Sequence, residues 1–129
     1  MIHVEPTSLD QIDLGVLTPL ACEEFGDAAA EGHQSKSVWA VRNEEEPILF
    51  VGTIERGLLS SPEFWVLLCN EFVAHVLTNL RSLRSLVSEY RAAHGSFTSI
   101  VREEHLRFAQ FLGMEPMYRM PGGWIRVRV

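Results

Sequence analysis

Cys69 stands where a thiol can become a nucleophile. It closes the apolar run Phe64-Trp65-Val66-Leu67-Leu68, and after Asn70 a helical pattern begins at Glu71. A helix N-terminus lowers a thiol's pKa and favours the reactive thiolate. His75 and His105 are candidate bases, but no motif fixes either beside Cys69. Free cysteines are among the most buried residues, so packing is the reading adopted here. The same strand-to-helix turn is where many folds hold a phosphate on bare backbone N–H groups. Close approach of the backbone to such a ligand calls for glycine. None occurs between Gly57 and Gly95. The chain has the frame of a cofactor turn without its glycine grip.

Other constellations read as ordinary surface or core. His3, His33, His75, His94 and His105 show no metal-ligand spacing, and structural zinc would need tight pairs such as Cys-x-x-Cys; no metal is expected. Glu44-Glu45-Glu46 reads as a solvated turn that guards a hairpin edge. Arg81, Arg84 and Arg91 fall on the polar side of the helix after Asn70. They fit a protein-docking stripe better than a nucleic-acid site, with Glu89 as a local partner. Trp39, Trp65 and Trp124 are assigned to a sheet.

These residues need a scaffold, and the periodicity supplies one. Ile2 to Glu5 alternates as a first strand. Ser8-Leu9-Asp10-Gln11 has the form of a capping box opening a short helix. Thr18-Pro19 opens a second, expected to end near Phe25-Gly26 and to be followed by a loop to Ser37. Val38–Arg42 and Pro47–Ile54 form a hairpin around the glutamates, and Glu63–Leu68 follows after a turn from Gly57 to Pro62. Asn70 is read as an N-cap. From there Val73, Val76, Leu77, Leu80, Leu83, Leu86, Val87 and Tyr90 recur at helical spacing until Gly95. A strand at Phe97–Val101, a helix at Glu103–Leu112 ended by Gly113, and a hairpin around Pro121-Gly122-Gly123 complete the chain. The expected fold is one α/β (α+β) domain over residues 1–129, with a central, mostly antiparallel sheet flanked by helices.

Composition narrows the class. With 129 residues, 47% apolar and 22% charged, the chain fits a single soluble domain with its own core. A net charge of −6 argues against a general nucleic-acid binder. No apolar run approaches the roughly 20 residues of a membrane helix, and Met1-Ile2-His3-Val4-Glu5 is no signal peptide. Cys22 and Cys69 are expected as separate thiols.

The element order, with Phe108-Ala109-Gln110-Phe111-Leu112-Gly113-Met114 near the end, resembles the GNAT acyltransferase superfamily. A narrower resemblance is to the internal virion protein family of short-tailed phages. It is carried by Leu17-Thr18-Pro19, Phe64-Trp65-Val66-Leu67, Arg84-Ser85-Leu86-Val87-Ser88-Glu89-Tyr90-Arg91, and His105-Leu106-Arg107-Phe108 with Leu112-Gly113. The superfamily resemblance also exposes departures. Active members carry an Arg/Gln-x-x-Gly-x-Gly/Ala turn whose amides hold the coenzyme A diphosphate; here the turn is Asn70-Glu71-Phe72-Val73-Ala74-His75. As a cap, Asn70 would occupy the amides, and Glu71 would set a carboxylate beside the diphosphate, a repulsion of roughly 1–4 kcal/mol at about 4 Å. The family's tyrosine acid corresponds to Ala109, and an asparagine at the start of that helix to Arg102.

These departures lead to the expectation of a non-catalytic GNAT-like phage protein without cofactor. It would have a structural, assembly or ejection-associated role in the virion or the host bacterial cytoplasm. Its partners would be portal, internal core or tail proteins, with self-association possible and Arg81, Arg84 and Arg91 as contact candidates. The alternatives are a divergent acetyl-CoA-dependent N-acetyltransferase and a small host-directed binding module. In the enzyme reading, the backbone of Val66, Leu67 and Leu68 and the turn Asn70, Glu71 and Phe72 would bind the cofactor.

Overall fold

The computed structural model describes residues 2–30, 37–54 and 63–129, apart from the side chains of residues 27–30, 54 and 63. Seven strands form one mixed, mostly antiparallel sheet, in the order β1-β2-β3-β4-β5-β7-β6. The strands are β1 (Ile2–Thr7), β2 (Ser37–Asn43), β3 (Glu46–Ile54), β4 (Glu63–Leu68), β5 (Thr98–Arg102), β6 (Glu115–Met120) and β7 (Trp124–Arg128). The helices are α1 (Pro19–Ala30), α2 (Asn70–Ala74), α3 (Val76–His94) and α4 (Leu106–Phe111). The expected α+β class is therefore observed. Two compact units make up the chain, Met1–Ile54 with Trp65–Asn79, and Glu55–Phe64 with Leu80–Val129.

In the first unit, β1, β2 and β3 form an antiparallel meander. Its hairpin turns on Glu44 and Glu45, with Asn43 paired to Glu46. Glu44 adopts a φ of 58°, and Arg42 Nη1 donates to the Glu45 carbonyl at 2.9 Å, tying the turn to its own strand. Arg42 also pairs with Glu5 on β1. Ile12, Leu17, Ala21, Val38, Ala40, Phe50, Leu67 and Cys69 form the core. The Thr18-Pro19 signal works as read: Thr18 Oγ1 accepts from the Ala21 amide at 3.2 Å. The helix runs to Ala30, past the expected stop at Gly26. The Ser8 box does not cap a helix. Only single 3-10 turns form at Leu9–Gln11 and Leu14–Val16, and Ser8 makes no capping bond. Its hydroxyl serves Asp10 instead, holding that carboxyl below its ordinary range.

In the second unit, β5 and β6 each pair antiparallel with β7. The parallel ladder between β4 and β5 covers Glu63↔Thr98 and Phe64↔Ser99. Phe64, Tyr90 and Phe97 pack edge to face, with ring centroids 4.8–5.3 Å apart. Ala109, Ile125 and Val127 form a second core cluster, flanked by Val101, Leu106 and Met114. Gly95 and Gly113 end α3 and α4 with φ of 85° and 92°, as expected for left-handed helix stops. The Gly57–Pro62 turn and most of the loop before Ser37 lie outside the described residues.

Candidate functional site

The turn from β4 into α2 is built from main-chain bonds. The Leu68 carbonyl accepts from the Thr18 amide at 3.0 Å, and the Cys69 amide donates to Ile48 at 3.0 Å. Leu17 and Cys69 form an isolated antiparallel bridge. Cys69, with φ −94° and ψ 158°, is itself the N-cap, and its side chain makes no capping bond. The Phe72 amide closes back on the Cys69 carbonyl at 3.1 Å. No side chain caps the first turn of α2 among the described residues.

Asn70 therefore lies one position inside the helix and is not the cap expected from sequence. Its Nδ2 donates to the Leu17 carbonyl at 3.2 Å, fastening the turn to the chain before α1. The other half of the plug remains. The Glu71 carboxylate lies 3.3 Å from Nε2 of His75, one helical turn further on. The helix then breaks: His75 has φ −129° and ψ 48°, and α3 starts at Val76. Asn79, 1% exposed, bridges the break by donating through Nδ2 to the carbonyls of Glu71 and Phe72 at 3.2 and 3.4 Å. The break also moves the apolar face. Val73 and Leu77, expected to point inward, are exposed, and Asn79 takes the buried position. Asn79 gave no sequence signal, since a lone asparagine within a helical period reads as surface.

Cys69 is fully buried, and burial pushes its thiol up to about 12 against a smaller opposing pull from Arg42. A thiol held protonated is no nucleophile at neutral pH, so the helix start does not activate it. His105 packs edge to face on Phe108. Among the described residues no group of three or more His, Cys, Asp or Glu side chains is placed to hold a metal. Ala109, at the position the resemblance gives to a tyrosine acid, is buried. Along β4, Val66 is exposed and Leu67 buried.

Arg81, Arg84 and Arg91 do not share one environment. Arg81 is exposed, the Arg84 guanidinium sits 5.1 Å over the Phe111 ring, and Arg91 lines a cavity. Arg102, at the resemblance's asparagine position, stacks on Trp124 at 4.8 Å.

Comparison with solved structures decides the fold. An acetyltransferase from Bacillus subtilis in complex with CoA matches with a TM-score of 0.68 at 9% identity, over 100% of this chain and 98% of that one. An IAA acetyltransferase from Bacillus cereus matches at 0.67 and 12%, over 100% and 99%. A Vibrio cholerae spermidine N-acetyltransferase chimera matches at 0.60 and 11%, over 99% and 94%.

The fold is the GNAT fold.

No family model matches the chain, and no curated protein does. The GNAT part of the expectation stands, and the virion part is corrected. These three matching structures are acetyltransferases, and none of them indicates a phage or internal virion family. One half of the expected plug is corrected: Asn70 bonds to the Leu17 carbonyl instead of the amides, while the Glu71 carboxylate stays at the helix start, 3.3 Å from Nε2 of His75.

Proposed function

We propose that this chain is a divergent acyl-CoA-dependent N-acyltransferase. The observation that carries this reading is the uncapped first turn of α2 at the end of β4. The first amides of a helix have no intrahelical partner. The amides of Asn70 and Glu71 are then donors suited to a diphosphate. The Phe72 amide is spent on Cys69 and the Leu68 carbonyl on Thr18; a pantetheine arm would run along Val66 and Leu67, beyond the β4–β5 pairs at Glu63 and Phe64. This donor set fits the cofactor without glycine, because Cys69 takes an extended conformation open to any residue and Asn70 turns its side chain away. The matching CoA complex, on the same fold, supports the reading.

When bound, an acyl-CoA supplies an activated thioester. The chain would hold and orient it. With Ala109 buried where the family's acid is expected, rate acceleration rests on proximity and orientation.

The test is a calorimetric titration of acetyl-CoA into wild type, Asn70→Ala and Asn70→Pro. Proline fits the first helical position and an extended preceding residue, so Asn70→Pro removes the N–H with little distortion. Asn70→Ala removes only the side chain. Saturable binding to wild type is expected, with Asn70→Pro weaker than Asn70→Ala by about tenfold or more. No binding to wild type at millimolar acetyl-CoA overturns the reading.

A further inference from the structure

Side-chain charge is divided unevenly between the two units. The first carries 11 acidic and 2 basic side chains, a net −9. The second carries 6 acidic and 9 basic ones, a net +3. The overall −6 hides this split, and neither sign turns on a single group.

Each unit also has an exposed sheet edge. In the second, β6 is the edge strand, and Glu115 to Arg119 are all exposed. α4 packs against β6. Together they leave Phe108, Phe111, Met117 and Tyr118 between 40% and 54% exposed. Arg107 and Arg119, next to Phe108 and Tyr118 in sequence, are exposed too. Aromatic residues, Met and Arg are the types enriched where proteins meet. In the first unit, β1 is the edge strand, and Val4 on it is exposed. Ile2 pairs with Asn43, so the exposed Glu44-Glu45-Glu46 turn lies beside that edge.

We propose that copies of this chain associate head to tail, the α4–β6 edge of one docking on the β1 edge of the next. The signs of charge select this pairing. Two first units repel each other, and so do two second units; a first unit against a second attracts. Such an interface joins unlike surfaces, so it propagates into rings or chains. Pro6 interrupts one edge, and Pro116 with the register shift after it interrupts the other. The contact is therefore made by side chains and not by adding a strand to the sheet. Nucleic acid is a poorer occupant, because the chain as a whole carries −6.

The test is sedimentation velocity at low and high salt, with thermal melts to check folding. Wild type is compared with a basic-edge variant, Arg107→Glu with Arg119→Glu, an acidic-edge variant, Glu45→Lys with Glu46→Lys, and Tyr118→Ser. Wild type should form species larger than a monomer at about 50 mM NaCl and lose them at about 500 mM, where screening is strong. Each charge variant alone should stay monomeric. Their equimolar mixture should associate, since the intact acidic edge of one meets the intact basic edge of the other. Tyr118→Ser should weaken wild-type association about fivefold or more. Four results overturn the proposal: wild type monomeric at about 1 mM in low salt, association indifferent to salt, a charge variant that associates alone as wild type does, or a mixture that stays monomeric. If a charge variant fails to fold, the other and Tyr118→Ser decide on the same terms.

Discussion

The side-chain amide of Asn79 donates to the main-chain carbonyl of Glu71 at 3.2 Å, across the break between α2 and α3. The break would otherwise leave the carbonyls of α2 without partners in a buried place. One buried asparagine thus holds the turn that presents the proposed anion-binding amides.

Asn79→Ala should destabilise the chain by about 1–3 kcal/mol, the cost of leaving buried polar groups unsatisfied. Asn79→Asp should be worse, because it sets an acceptor against the carbonyls of Glu71 and Phe72. Chemical denaturation measures both. An Asn79→Ala variant as stable as wild type would show that the bridge does not hold the turn.

Gly52 and Trp65 form a second dependence. A Cβ added at Gly52 would sit 2.1 Å from Cζ2 of Trp65. Gly52→Ala should cost about 1–3 kcal/mol through overpacking. Trp65→Phe in the same chain should recover part of that loss, a non-additivity that a double-mutant cycle detects.

Much of the fold is legible in the sequence because its signals are local. The Thr18-Pro19 start, the Glu44-Glu45 hairpin turn and the stops at Gly95 and Gly113 each need only a few neighbouring residues. The break at His75 has no such mark, since no glycine or proline stands there and the apolar spacing runs through it. It depends on Asn79 reaching back to carbonyls seven and eight residues earlier. The turn at Asn70 is hidden for the same reason. Asn70 has the residue type of a cap, but its partner, the Leu17 carbonyl, lies 53 positions away in sequence. Ser8 makes no capping bond, and its hydroxyl donates to the Asp10 carboxylate two residues on.

Cys69 makes stability depend on alkaline pH. Its folded thiol is pushed up to about 12, above the value of 9.0 for a free thiol. A raised folded pKa contributes stability that is complete below the unfolded value and lost as pH rises towards the folded one. Stability should therefore fall above pH 9, by about 1 kcal/mol per pH unit from this group. Cys69→Ala should lack that component of the slope. Iodoacetamide at pH 8 should label Cys22, which is partly exposed, before Cys69. Faster labelling of Cys69 would contradict the burial argument.

Installing the superfamily's acid should fail. Ala109 is 3% exposed and packs with Ile125 and Val127. Ala109→Tyr should destabilise the chain by about 1–3 kcal/mol or more and bring no gain in acyl transfer. Thermal melts and a thioester-consumption assay check both parts.

The central claim is that bare amides at the start of α2 receive a cofactor diphosphate. The most direct measurement is a backbone-amide NMR titration with coenzyme A. The account predicts saturable shifts at Asn70 and Glu71, with smaller ones at Val66 and Leu67. Shifts that leave Asn70 and Glu71 unmoved at saturating coenzyme A would contradict it.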